Sequence, residues 1–108
     1  MEDNRIQEMQ ILEQNLQNLL FQKQAFQMEL SETEAALKEI SKAKDEVFKI
    51  IGQLMIKTEK SKIKEELVNK QKILSMRMKT LEKQESVLTE KIEQIREEFM
   101  KSMKKKEK

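Results

Sequence analysis

The sequence predicts a mainly α fold: a long antiparallel two-helix coiled coil whose helices are joined by one short β-hairpin. Three observations carry this prediction. Large apolar residues recur at alternating steps of three and four along two stretches of roughly forty residues, the spacing that keeps one stripe of a helix apolar. Composition agrees: 39% of the 108 residues are charged, 4% are aromatic, and proline and tryptophan are absent. Such a chain has apolar side chains for a narrow seam, not for a globular core. The third observation is the run from Val47 to Thr58, where the helical rhythm stops and β-branched and aromatic residues surround Gly52, the one glycine.

The chain is read as a single domain over residues 1–108. Residues 1–5 are expected to fray, with Asp3 or Asn4 as the N-cap candidate. A first helix follows over about residues 5–45, since nothing between Arg5 and Lys44 would stop it. Its stripe is Met9, Leu12, Leu16, Leu19, Phe26, Leu30, Leu37 and Ile40, with polar interruptions at Lys23 and Thr33. Such interruptions commonly fix register at some cost in stability. At 1.5 Å per residue this helix would run to about 60 Å.

Two strands, about Val47–Ile51 and Leu54–Thr58, are expected next within a hairpin over residues 47–58. Branched side chains crowd a helix but pack well on a pleated surface. Gly52-Gln53 supplies a two-residue turn of the kind that favours glycine first. On this reading Phe48, Ile50, Leu54 and Ile56 share one face, and Val47, Ile51 and Met55 the other. A two-stranded sheet that is apolar on both faces and open at its edges is marginal alone and wants partners. An internal turn packed on its own helices is the competing reading.

A second helix is expected over about residues 60–104, capped by Thr58 or Ser61 and followed by a frayed basic tail, 105–108. Its stripe is Leu67, Leu74, Met78, Leu81, Leu88, Ile92, Ile95 and Phe99, interrupted at Gln71 and Glu85. Glu34–Lys38, Glu66–Lys70 and Glu97–Lys101 are spaced as outer-face i,i+4 pairs. Two such helices with a connection of about a dozen residues should fold back on each other. Hairpin and chain ends then lie at opposite ends of a rod. The rival architecture, one continuous parallel coil, is disfavoured by Gly52 and the strand-like run. Charge suits the antiparallel pairing: residues 1–46 carry ten acidic against five basic residues, net −5, and residues 47–108 ten against seventeen, net +7.

Catalytic chemistry finds no foothold. With no histidine or cysteine, metal sites would have to be all-oxygen, and the adjacent carboxylates Glu65-Glu66 and Glu97-Glu98 point to different sides of a helix. A single glycine makes no phosphate cradle. No enzyme activity, cofactor or metal is expected. No stretch is apolar enough to cross a bilayer and the acidic start is no signal peptide, so a soluble, cytoplasmic protein without a membrane partner is expected.

Two further features could carry function. At the open end Ile6, Met9, Ile11 and Leu12 lie opposite Phe99, Met100 and Met103. Flexible methionine and bulky phenylalanine suit a surface that binds varied apolar partners, though ordinary seam plus scattered surface residues fits equally. The basic run Lys101, Lys104, Lys105, Lys106 and Lys108 could meet an acidic protein surface or simply solubilise the end. Without interleaved aromatics, nucleic acid is the weaker partner.

These features together resemble the prefoldin family, in its short archaeal beta-type form. The run Val47-Phe48-Lys49-Ile50-Ile51-Gly52-Gln53-Leu54-Met55-Ile56-Lys57 is similar to the family's stretch between helices, with Phe48 in the aromatic place and Lys49, Gly52 and Lys57 where the pattern has them. One short hairpin resembles the beta type, the alpha type having two. The resemblance implies a hexamer of two alpha-type and four beta-type subunits, joined through hairpins into β-barrels. It also implies an ATP-independent holdase that delivers unfolded clients to a group II cytosolic chaperonin. The assembly residues would be Val47, Phe48, Ile50, Ile51, Gly52, Leu54, Met55 and Ile56. Clients would be held by Ile6, Met9, Leu12, Phe99, Met100 and Met103, and Lys101, Lys104, Lys105 and Lys106 are docking candidates for the chaperonin. A coiled-coil spacer that binds no client is the alternative.

Overall fold

Alternating threes and fours commit most of this chain to helix, and the strand-forming run interrupts it once. The computed structural model describes residues 4–44 and 46–106, with the side chains of Lys105 and Lys106 excepted. Helix α1 spans Asn4–Lys42, strand β1 Glu46–Ile51, strand β2 Leu54–Glu59 and helix α2 Lys60–Lys106. The chain packs as two compact units, Ala25–Met78 and Met1–Gln24 with Lys79–Lys108.

Within each unit the helices run antiparallel. In the unit that carries the chain ends, Arg5 reaches the backbone of Glu98 and Lys23 reaches Glu85. In the hairpin unit the Arg77 guanidinium lies 5.7 Å from the Phe26 ring centroid, and Lys70 lies 3.5 Å from Glu29. Partner numbers fall on one helix as they rise on the other. Every position of the two expected stripes is buried or half-buried, including the polar ones, and Arg5, Ile63 and Ser102 extend the rhythm. Leu19, Leu81 and Ile92 are the most buried in one unit, and Ile40, Leu74, Met78 and Thr33 in the other. Thr33, 3% exposed, satisfies its hydroxyl by donating to the Glu29 carbonyl at 2.8 Å, so a polar residue sits in the seam without an orphaned group. None of the described side chains is fully enclosed. A seam of this kind stabilises by many partial burials, each below the roughly 1.5–3 kcal/mol of a fully buried leucine.

The element ends differ from expectation in instructive ways. α1 begins at Asn4, inside the stretch expected to fray, and Asp3, the other capping candidate, lies outside the described residues, as does Asp45. The helix stops at Lys42, short of Lys44. Its last turn is closed by the Ala43 amide, which donates to the Glu39 carbonyl at 3.0 Å and the Ile40 carbonyl at 3.3 Å. Lys60 then donates to the Ala43 carbonyl at 2.9 Å, a lysine placed where the C-terminal dipole favours it. α2 follows β2 with no residue between, so Thr58 lies in the strand and Ser61 inside the helix. Neither is at the junction, which Glu59 occupies. At its far end α2 runs on through Lys106, past the expected limit of 104, while residues 107–108 lie outside the described residues.

Candidate functional site

The hairpin is tight: Ile51 pairs with Leu54 across Gly52-Gln53, and pairing continues to Glu46 with Glu59. Gly52 has φ +61°, the one positive φ among the described residues, so Gln53 keeps an ordinary backbone. A positive φ at the first central position alone is the pattern of a type II′ turn, whose twist suits flanking strands.

This register corrects the expected faces. Cross-strand partners share a face, and a two-residue turn pairs even-numbered residues of β1 with odd-numbered residues of β2. Phe48 and Ile50 therefore lie with Met55 and Lys57, while Val47, Lys49 and Ile51 lie with Leu54, Ile56 and Thr58. Both faces remain rich in apolar groups, so the correction moves residues without removing the assembly argument. Val47 is half-buried, but Phe48, Ile50, Ile51, Leu54, Met55 and Ile56 are exposed, with Ile50 and its partner Met55 at 69% and 67%. Lys57 pairs with Glu46 at 2.8 Å along the first face, and Lys49 on the second reaches Glu66 of α2 at 3.0 Å. Glu66 and Lys70, spaced as an i,i+4 pair, thus each engage another element. A groove of about 670 Å³ lies in this unit, lined by Ile40, Ile63 and Leu67 of the helices, by Ala43 just past the end of α1 and by Phe48 and Ile50 of the sheet.

The other unit brings the start of α1 beside the end of α2. Arg5 anchors this approach through a hydrogen bond from Nη1 to the Glu98 carbonyl at 2.9 Å. Of the six residues expected to hold clients at this end, Met9, Leu12 and Phe99 are half-buried in the seam. Ile6, Met100 and Met103 stand out from it, exposed at 47%, 56% and 50%. Ile11 is also exposed and lines a small groove with Leu12 and Ile95. Lys101 and Lys104 are exposed; the side chains of Lys105 and Lys106 lie outside those described.

One feature of this unit escaped the sequence reading. Lys23 and Glu85, the polar breaks in the two stripes, meet each other at 2.9 Å. The hydrogen bond to Glu85 holds the Lys23 ammonium above the ordinary lysine pKa; burial opposes this, and the charges of Glu85 and Glu82 add to it. The signal was present, since both breaks fall at equivalent seam positions, but pairing them needs the register between helices. Among the described residues no group of three potential ligands could hold a metal, and no helix is long and apolar enough to cross a membrane.

Residues 3–106 match the prefoldin subunit family, nearly the whole chain. The chain belongs to that family. It is 41% identical to the prefoldin subunit beta of Thermococcus onnurineus over 85 residues, covering 77% of this chain and 73% of that protein. The prefoldin subunit beta of Methanothrix thermoacetophila is 32% identical over 102 residues, covering 93% and 85%. Among solved structures, the prefoldin beta subunit from Thermococcus strain KS-1 matches with a TM-score of 0.85 at 35% identity, covering 91% of this chain and 88% of that one. The archaeal beta-type resemblance carried by Phe48 to Lys57 is therefore upheld along the chain. Membership makes the protein a chaperone subunit and not an enzyme, within a family that assembles as hetero-oligomers. Two strands cannot close a barrel, so any barrel belongs to the oligomer.

Proposed function

We propose that the chain is one of four beta-type subunits which, with two alpha-type subunits, form a hexameric cytoplasmic holdase that works without ATP. In this reading residues 1–108 act as a single prefoldin-like domain. Val47, Phe48, Ile50, Ile51, Gly52, Leu54, Met55 and Ile56 join the subunits. Ile6, Met9, Leu12, Phe99, Met100 and Met103 hold unfolded clients, which pass to a group II chaperonin. The observation that carries the holding role is the exposure of Ile6, Met100 and Met103 where Arg5 ties the two helices together. Side chains in water beside a half-buried Phe99 can exchange solvent for an apolar segment of another chain, and methionine re-packs around varied shapes. Each contact is weak and reversible, and several arms acting on one flexible chain supply avidity.

The test is suppression of aggregation by the assembled complex. Phe99→Ser with Met103→Ser is expected to lower it several-fold; unchanged suppression would remove the holding assignment and leave a coiled-coil spacer. Docking on the chaperonin is assigned to Lys101, Lys104, Lys105 and Lys106. Replacing the last three by serine should weaken chaperonin binding at low salt, where exposed charges are least screened, and equal binding would refute the assignment.

A further inference from the structure

Methionine is the readily oxidised side chain of this sequence: there are eight, and no cysteine, tryptophan, tyrosine or histidine. Burial sorts them. Met78 is buried in the seam and Met9 half-buried, whereas Met28, Met55, Met76, Met100 and Met103 are exposed. Met100 and Met103 differ from the other exposed methionines in their setting. They stand three residues apart, so they neighbour each other on the surface of α2, and they flank the end of the seam where Phe99 is half-buried and Ile6 exposed. Both side chains are thus open to solvent beside the apolar end of the seam, on a helix surface they share with the exposed Lys101 and Lys104.

We propose that Met100 and Met103 form an oxidation-controlled site, at which a hydroperoxide converts both thioethers to sulfoxides and so releases an apolar segment held there. The inference rests on the client-holding reading above. In each step the sulfur lone pair attacks the distal oxygen of the peroxide, the S–O bond forms and the O–O bond breaks. Sulfur is oxidised by two electrons, the peroxide is reduced, and with hydrogen peroxide the departing hydroxide takes the proton of the transferred group and leaves as water. A flexible apolar side chain becomes a polar one whose oxygen must stay hydrated, so the contact it made is lost. Methionine sulfoxide reductases reverse the change, which makes it a switch.

The experiment uses the complex with an alpha-type subunit, treated with hydrogen peroxide until mass spectrometry finds one added oxygen on Met100 and on Met103. The concentration needed for half-suppression of aggregation should then rise roughly tenfold, a small loss per arm being multiplied across several arms. Methionine sulfoxide reductase should restore it. Met100→Leu with Met103→Leu, compared with its own untreated form, should lose nothing on the same treatment. Equal loss in this variant would trace the effect to other groups of this chain or of the alpha-type subunit and overturn the proposal, as would full holding by the doubly oxidised native complex. If Met100→Ser with Met103→Ser holds clients as well as the native chain before any oxidant is added, the holding reading itself fails.

Discussion

Lys23 and Glu85 show how much one pair can decide in so thin a core. Each is about one-third exposed, so the pair keeps some hydration while interrupting two otherwise apolar stripes. Removing one partner leaves the other charge in the seam without its counter-charge, whereas replacing both by apolar residues of similar size restores continuity. Lys23→Met is therefore expected to lower the melting temperature, and Lys23→Met with Glu85→Leu to recover it or exceed the native value. The pH dependence has a definite sign. A lysine whose folded pKa is raised contributes stability that is fully present below its unfolded value and is lost as pH rises through the folded one. Between about pH 9.5 and 12 the native melting temperature should fall more steeply than that of the double variant; parallel curves would show that the pair contributes nothing. Residue types were legible here and their partnership was not. Periodicity places a residue on a face of its own helix, and only packing says which residue of the other helix stands opposite.

Among the elements, the hairpin depends on a single backbone torsion. An added Cβ at Gly52 would meet no atom within 4 Å, so the cost of a side chain there is conformational and not a clash. Gly52→Ala should cost about 1–2 kcal/mol, a large fraction of what an isolated hairpin possesses. The expected outcome is faster hydrogen exchange at the amides of β1 and β2, with the helical circular dichroism unchanged. Exchange that stays slow would mean the turn is held by something other than its own geometry. The same turn explains what the sequence reading missed. Strand identity, turn position and turn type followed from residues 47–58, but the face of each residue depends on the parity of the pairing. Pairing across two turn residues is set by Ile51 with Leu54, and this moves Leu54 and Ile56 to the side of Val47. The helices were the most legible part, because a three-four stripe is their own signature; their ends were less so. Lys60 reaches back to Ala43 over seventeen residues, a partnership no local pattern encodes.

For the whole molecule, the opposite net charges of residues 1–46 and 47–108 look like a design for pairing, but the ion pairs observed between helices do not simply follow them. Glu29–Lys70 runs with the asymmetry and Lys23–Glu85 against it. Two pairs of opposite sense leave no net advantage to the charge asymmetry, so long-range attraction is secondary to the apolar stripes. What the chain leaves unfinished is the covering of its sheet. Light scattering on the chain mixed with an alpha-type subunit should find a defined hexamer. Phe48→Ser with Ile50→Ser on one face, or Leu54→Ser with Ile56→Ser on the other, should prevent it without loss of helix content. A hexamer that forms in both variants would show that assembly uses another surface.

The direct passage from β2 into α2 has a mechanical consequence. Glu59 ends the strand and Lys60 begins the helix, so this junction contains no loop to act as a hinge. The Lys60 ammonium, bonded to the Ala43 carbonyl, braces it against the end of α1. The direction in which α2 leaves the sheet is therefore fixed by backbone continuity, and a small rotation imposed on the strands is carried into the helix with little compliance. Whatever fixes the tilt of the strands when subunits come together also sets the direction in which the first turns of α2 leave the sheet.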